Sequence, residues 1–135
     1  LINHIGRRTA SNIETHGALK DRSRKVFRGT IDFRKGCGGA KGREEESAIL
    51  LDKTVKASAV PILLATEEDV DGQHAASAGK IDEDRLFYLM SRGLSESGAK
   101  KLIVEASFTP VINRIPSEDL RNVIDDEIHR RIENE

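Results

Sequence analysis

At 135 residues the chain is long enough for one domain, and 37% hydrophobic with only 4% aromatic residues predicts a core of mostly aliphatic side chains. The single cysteine, Cys37, excludes an intramolecular disulfide framework, and neither a signal peptide nor an apolar run of membrane-spanning length is present. We therefore expect a cytoplasmic protein with no membrane partner. Because the sequence begins with Leu1 inside strand-like sequence, we also expect it to be part of a longer protein.

Charge is distributed unevenly along the chain, although the formal net charge at pH 7 is only -1. Residues 1–43 carry eleven Lys/Arg and three Asp/Glu, whereas residues 44–135 carry eleven Lys/Arg and twenty Asp/Glu. A basic first part could mark a nucleic-acid surface. Its basic residues alternate with apolar ones, however, and only Phe27 and Phe33 are available to stack on bases, so we expect solvated strand faces and no nucleic-acid partner.

Residues 9–79 have the period-two apolar pattern of strands with one buried face. One such face would consist of Phe27, Gly29, Ile31 and Phe33. Shorter alternating pairs follow at Ile49 and Leu51, Val55 and Ala57, and Ile62 and Leu64. Gly42, Pro61 and Gly72 are read as interruptions of this pattern. Many short strands without intervening helices indicate a sandwich, a barrel or a parallel β-helix, and recurrent small side chains favour stacked coils.

The final third of the chain has helical periodicity with recognisable caps. Asp82 is a good N-cap for a first helix, which Gly93 would end. Ser95 would cap a second helix ending at Pro110 at the latest, and Ser117 would open a third. The apolar positions are Leu86, Phe87, Leu89 and Met90, then Ala99, Leu102, Ile103 and Ala106, then Leu120, Val123, Ile124, Ile128 and Ile132. Three such helices either cover an exposed end of the β region or form a docking surface.

The glycine-rich segment 36–42, GCGGAKG, lacks the spacing of a nucleotide-binding loop, because Lys41 is followed by Gly42 rather than by Ser or Thr. We interpret it as a turn. Cys37 within it lies beside Lys35, which could lower the pKa of the thiol. With no second cysteine and no histidine nearby, we interpret Cys37 as a bystander thiol.

His74 is the candidate functional histidine. No two histidines of the chain have the spacing of a metal-ligand pair, and His4, His16 and His129 are interpreted as structural or solvated. His74 follows the acidic residues 67–71 and precedes small residues that leave room for its ring. A single imidazole cannot complete a metal site, so ligation of a metal would need a second chain or a cluster ligand.

The stretch GQHAASAGKIDEDRLFYLMSRGLSESGAKKLIVEASF, residues 72–108, resembles the C-terminal signature of the SufB/SufD family, scaffold components of the SUF iron-sulfur cluster assembly system. The resemblance extends back through Phe27-Arg28-Gly29 and residues 47–51, and forward through the last helices. It implies a mainly β chain with C-terminal α structure, in which residues 1–81 form the last coils of a right-handed parallel β-helix and residues 82–135 a small helical subdomain.

The resemblance also implies partners and a site. The family pairs two β-helices as SufB with SufD, and the helical subdomains bind the ATPase SufC. Here the helical contact surface would include Leu86, Phe87, Tyr88 and Arg92. A nascent cluster is expected to use a SufB cysteine and a SufD histidine near the paired edge, and His74 matches that histidine. We therefore expect no intrinsic cofactor, a transient iron-sulfur cluster in the full complex, and homodimers where the chain is alone.

Within the family the chain resembles SufD rather than SufB. SufB proteins carry a cysteine at the position of Val55, and a His-Glu-Ala step where this chain has His74, Ala75 and Ala76. Cys37 matches no family cysteine. The expectation is a scaffold without enzyme activity. Two rivals stay open: a carbohydrate-active enzyme on a β-helix, using the carboxylates of residues 44–46 or 67–71, and a self-associating structural solenoid.

Overall fold

The computed structural model describes residues 1–133, which form six strands followed by three helices. The strands are β1 (Ile2–His4), β2 (Ala10–Leu19), β3 (Arg24–Phe33), β4 (Ala40–Leu50), β5 (Lys56–Ala65) and β6 (Val70–Lys80). The helices are α1 (Glu83–Ser91), α2 (Glu96–Ile112) and α3 (Glu118–Glu133). The prediction of a mainly β chain with three C-terminal helices is therefore confirmed.

The strands form two three-stranded parallel sheets, one with the order β1-β3-β5 and the other with the order β2-β4-β6. Successive strands of the chain thus alternate between the sheets. In the second sheet Ile13 pairs with Glu44, and Glu44 pairs with His74. Residues about 30 positions apart in sequence therefore lie side by side.

The interior between the sheets contains two small aliphatic clusters. One is built around Ile31 and Phe33 with Cys37 and Ala40, and the other around Leu19, Ala48 and Val55. Ile31, Phe33 and the backbone of Gly29 are buried, so the shared inner face predicted for β3 is confirmed. Phe33 is the aromatic side chain of these two clusters, and the two sheets approach each other closely at glycines that face it.

The positions of two of those glycines contradict a prediction made from the sequence. Gly42 and Gly72 do not interrupt the strands but lie inside β4 and β6, where they pair with each other. A methyl group on Gly42 would lie 2.8 Å from Cζ of the buried Phe33, and one on Gly72 would lie 3.0 Å from Cε2 of the same ring. The glycines therefore provide the space that the Phe33 ring occupies.

The prediction that Ile62 and Leu64 lie on the buried face of β5 is wrong. Ile62 and Leu64 point outward and are exposed, whereas Leu63 points inward and packs against the first cluster. Pro61, interpreted as an interruption, lies inside β5. Proline is tolerated there because β5 pairs only with β3 within residues 1–133, so one side of the strand needs no N–H donor.

The helix caps agree with the predictions. The Asp82 carboxylate accepts hydrogen bonds from the first turn of α1, the Ser95 hydroxyl caps α2, and Gly93 follows α1 with a positive φ of 100°. Only the predicted end of α2 is wrong, because the helix continues through Pro110 to Ile112. Proline removes a single backbone hydrogen bond, and so close to the helix end the remaining bonds still form.

Helix α2 connects the helical part to the β part. It packs against β2, and both α1 and α3 pack against it. Val104 and Ile112 of α2 are buried, and Arg114 just after the helix forms an ion pair with Glu14 of β2. Glu14 also pairs with His16 at 3.1 Å, and the hydrogen bond from His16, followed by the charge of Arg114, lowers the pKa of the Glu14 carboxyl.

Candidate functional site at the last strand

The predicted site residue His74 lies on β6, the last strand of the second sheet. Within residues 1–133 this strand pairs only with β4, so its other edge is open. Every residue from Asp71 to Lys80 is exposed, including His74. The structure therefore places the imidazole at an open strand edge, with the small residues Ala75 and Ala76 beside it.

The register neighbour of His74 is Glu44, which the sequence analysis considered only among the carboxylates of a carbohydrate-active enzyme and did not connect with His74. Its side chain is only 1% exposed, and neither carboxylate oxygen has a hydrogen-bond partner within the described part of the chain. Burial raises the pKa of Glu44, and the nearby charge of His74 acts in the opposite direction. A buried carboxyl without a partner thus lies beside the exposed imidazole.

Glu44 can occupy this position because Gly29 lies opposite on β3. A methyl group on Gly29 would overlap with the Glu44 carboxylate, so Glu44 can hold this side-chain position because residue 29 is a glycine. A second acid, Glu46, also points inward, and its Oε1 accepts a hydrogen bond from Lys25 Nζ at 2.6 Å. The interior next to β6 therefore contains one paired and one unpaired carboxylate.

Adjacent acids on a strand alternate faces, and such runs are usually solvated. The three acids do alternate faces, since Glu45 faces outward and pairs with Arg43, but Glu44 and Glu46 are buried rather than solvated. The burial of Glu44 and Glu46 could have been predicted from the alternation of even and odd positions along β4. Small residues at even positions of β4, such as Ala40 and Ala48, mark the inner face, and both acids share that parity.

Residues 1–133 contain no group of three or more His, Cys, Asp or Glu side chains arranged to hold a metal ion. His74 can contribute one nitrogen ligand or transfer one proton. The chemistry available to this chain at the edge is that of a single exposed imidazole next to a buried acid.

The other histidines have structural partners, as expected. His4 stacks on Phe33 with ring centroids 4.8 Å apart and hydrogen-bonds to two hydroxyl groups. His16 lies between Glu14 and Ser47, and His129 pairs with Glu105 at 2.8 Å. None of them lies near His74 in the strand register.

Cys37 is fully buried, and burial raises the pKa of its thiol, with the Glu67 carboxylate adding to the effect. The suggestion that Lys35 lowers this pKa is wrong, and the interpretation as a bystander thiol fits the burial. Among the acidic residues at 67–71, Glu67 accepts a hydrogen bond from the Gly36 N–H at 2.9 Å, which lowers the pKa of Glu67. That carboxylate holds a turn in place.

The second candidate surface lies on α1. Leu86 is half-buried, whereas Phe87 is 74% exposed and Tyr88 is also exposed. The Arg92 guanidinium lies 5.6 Å from the centre of the Tyr88 ring. Between α1 and α2 is an open cavity of about 370 Å³, lined by Asp82, Asp84, Arg85, Tyr88, Leu89 and Ile103.

Helices long and apolar enough to cross a membrane do not occur among residues 1–133.

Comparison with known proteins identifies the family. Residues 1–107 match the family model described as SUF system FeS cluster assembly, SufBD core domain. The chain is 34% identical over 131 residues to the iron-sulfur cluster assembly protein SufD of Bacillus subtilis, which covers 97% of this chain and 30% of that protein. It is 32% identical over 115 residues to an iron-sulfur cluster assembly SufBD family protein of Mycobacterium tuberculosis, covering 85% of this chain and 14% of that protein.

A SufBD family protein of Staphylococcus epidermidis is 30% identical over 115 residues, covering 85% of this chain and 25% of that protein. The chain thus spans less than a third of the length of these curated relatives. The family match covers most of the chain and includes all six strands, the open edge with His74 and helix α1. The chain belongs to the SufB/SufD family of the SUF system for iron-sulfur cluster assembly.

Proposed function

We propose that the chain is the C-terminal part of a SufD-like scaffold, which pairs with a SufB-like protein, docks a SufC-like ATPase and has no enzyme activity of its own. The observation that carries this proposal is the family match over residues 1–107 together with the 34% identity to SufD of Bacillus subtilis. SufB proteins carry a cysteine at the position of Val55, and the valine found here favours the SufD role.

The fold proposed for this scaffold is a right-handed parallel β-helix over residues 1–81, followed by a helical subdomain from residue 82 onward. Residues 134–135 of the predicted subdomain lie outside the described residues. The support for this fold is the alternation of strands between two parallel sheets, with paired positions about 30 residues apart. Each circuit of the chain would then form one coil. Stacked coils leave an open strand edge only at their ends, which is where β5 and β6 lie.

The open edge is the proposed surface for pairing with the SufB-like partner. An unpaired strand presents a row of N–H and C=O groups that another strand can satisfy. β6 is eleven residues long, is exposed along nearly its whole length and has no proline to block pairing. In the absence of the SufB-like protein, the same edge can pair with a second copy, which would give a homodimer.

His74 is the proposed contribution of this chain to cluster assembly. At the paired edge its imidazole would act as one ligand of a transient iron-sulfur cluster, or as a proton relay, with the remaining ligands coming from the partner. The cluster is cargo rather than a resident cofactor. The proposed location of the protein is the cytoplasm. Movements of the ATPase would be transmitted to the open strand edge through α1 and α2.

The experiment is a pull-down of the full chain with the SufB-like and SufC-like proteins of the same organism, alongside a version ending at Lys80. We expect the full chain to capture both proteins and the truncated version to lose the ATPase. A Phe87→Ser/Tyr88→Ser variant should also lose the ATPase, whereas Val123→Ser, an exposed apolar residue on α3, serves as the matched control.

His74→Ala should leave folding and pairing intact, because the side chain is exposed, but should abolish cluster transfer to an acceptor protein. Absorbance of the cluster on the acceptor measures this transfer, and His129→Ala is the control. Failure of the well-folded full chain to capture either partner would refute the scaffold role. Normal cluster delivery by the His74 variant would refute only the role of that residue.

A further inference from the structure

The two sheets differ in how their outer faces are covered. Helix α2 lies against β2 of the second sheet, and the Glu14 pair with Arg114 fixes it there. The outer face of the first sheet has exposed side chains along β3 and β5. This face is separate from the open strand edge and from the α1 surface described above.

Apolar side chains project from this outer face. Val60, Ile62 and Leu64 occupy alternate positions of β5 and are between 39% and 49% exposed, and Val26 on β3 is 62% exposed. The three β5 residues form a row about 13 Å long at the strand rise of about 3.3 Å per residue. A contiguous apolar row on a sheet face is typical of a surface that another molecule covers.

The cations of the same face are grouped at one end. Arg24 pairs in register with Lys56, and both precede the apolar row, whereas Arg28 pairs with Val60 and lies level with the first residue of the row. Within residues 1–133 these three cations form no ion pair. Acidic residues on the outer side of β3 and β5 are limited to Asp32, which is buried and already pairs with Arg34 at 2.6 Å.

We propose that this apolar-basic face, made up of Val26, Val60, Ile62 and Leu64 with Arg24, Arg28 and Lys56, binds an acidic amphipathic segment of a partner protein. Apolar side chains of that segment would cover the β5 row, and its carboxylates would meet the three cations at the Val60 end of the row. The charges fix the direction of the bound segment, because only one orientation brings the carboxylates to Arg24, Arg28 and Lys56.

Other occupants fit the face less well. Two copies of the face with parallel strands would bring like charges into contact. With antiparallel strands, the cations of each copy would lie near the Leu64 end of the other, where Asp32 already pairs with Arg34 and no free carboxylate among residues 1–133 meets them. A membrane surface would require apolar side chains to insert by about 5–10 Å. On this face the apolar row lies level with Thr30 and the Asp32–Arg34 pair, so insertion would bury those polar groups as well.

The test measures binding of a fluorescent synthetic peptide of about 15 residues, with leucines along one side and glutamates clustered at one end, by fluorescence anisotropy with the full chain. We expect saturable binding that weakens as the salt concentration rises. Ile62→Ser and Arg28→Glu should each raise Kd by about tenfold or more. Val123→Ser, which removes an exposed apolar residue from α3, should leave Kd unchanged.

A second peptide with lysines in place of the glutamates separates the contribution of charge to binding from that of the apolar side chains. This peptide should not bind. Unfolding midpoints of all variants should equal that of the parent, because the substituted side chains are exposed. Equal Kd values for the parent, Ile62→Ser and Arg28→Glu would overturn the proposal. Binding to vesicles with anionic lipid that Ile62→Ser abolishes, or self-association that it abolishes, would overturn it in favour of a membrane or a second copy.

Discussion

Replacing Glu44 by glutamine tests whether a buried, unpartnered carboxylate destabilises the β region. The side chain is 1% exposed and its oxygens lack partners within residues 1–133, so ionisation in the folded state is unfavourable. Burial raises the pKa of Glu44 above its ordinary value of 4.5. The unfolded chain titrates at the ordinary value, so the folded state holds the proton more tightly.

The direction of the pH dependence follows from this difference. Protonated Glu44 avoids the cost of burying a charge, so below pH 4.5 the parent is close to its full stability. As the pH rises through that value and through the higher folded pKa, the free energy of unfolding falls. Each pKa unit is worth about 1.4 kcal/mol, and for a buried group without a partner we expect about 1–3 kcal/mol in total. Glutamine cannot ionise, so the advantage of Glu44→Gln should grow over the same pH range.

Urea unfolding of both proteins at several values between about pH 4 and pH 8 measures this difference. Glu45→Gln is the matched control, because that side chain is 42% exposed, faces outward and pairs with Arg43 at 2.7 Å. It should change the free energy of unfolding by less than about 1 kcal/mol. A difference between Glu44→Gln and the parent that stays constant with pH would refute the reasoning, because it would mean that Glu44 titrates alike in both states.

Two further substitutions test the packing around the site. Gly42→Ala should destabilise the chain by about 1–3 kcal/mol in urea unfolding, because the new methyl group would lie 2.8 Å from Phe33 Cζ. Gly79→Ala meets nothing within 4 Å and should change stability by less than about 0.5 kcal/mol, and equal effects would contradict the packing. Lys25→Met leaves the buried Glu46 carboxylate unpaired and should cost about 3 kcal/mol near neutral pH. Restoration of stability by adding Glu46→Leu would support that cause.

Features decided by local interactions could be predicted from the sequence. The caps at Asp82 and Ser95 and the end of α1 at Gly93 depend on side chains and backbone within one helical turn, so residue type is sufficient information. The period-two pattern of β3 is similarly local. The resemblance around His74 supplied the family, which the comparison with known proteins confirms.

Features decided by pairing between distant strands could not be predicted in the same way. Ile62, Leu63 and Leu64 are all apolar, so the sequence carries no alternation that shows which of them points inward. The pairing of β5 with β3 settles it, because Leu63 lies beside the buried Ile31. The burial of Glu44 has the same origin, since it requires Gly29 from a different sheet to leave room for a carboxylate.

The position of His74 shows how such pairing determines the site. The Phe33 ring lies against two glycines that are adjacent in register, Gly42 of β4 and Gly72 of β6. A slip of β6 by one residue would bring Asp71 or Gln73 beneath the ring and turn His74 to the opposite face of the sheet. The close contact of Phe33 with both glycines opposes that slip, and the correct register then places His74 beside Glu44. The orientation of the candidate imidazole is therefore fixed by a phenylalanine 41 positions earlier in the chain, a constraint that residues 70–80 do not reveal by themselves.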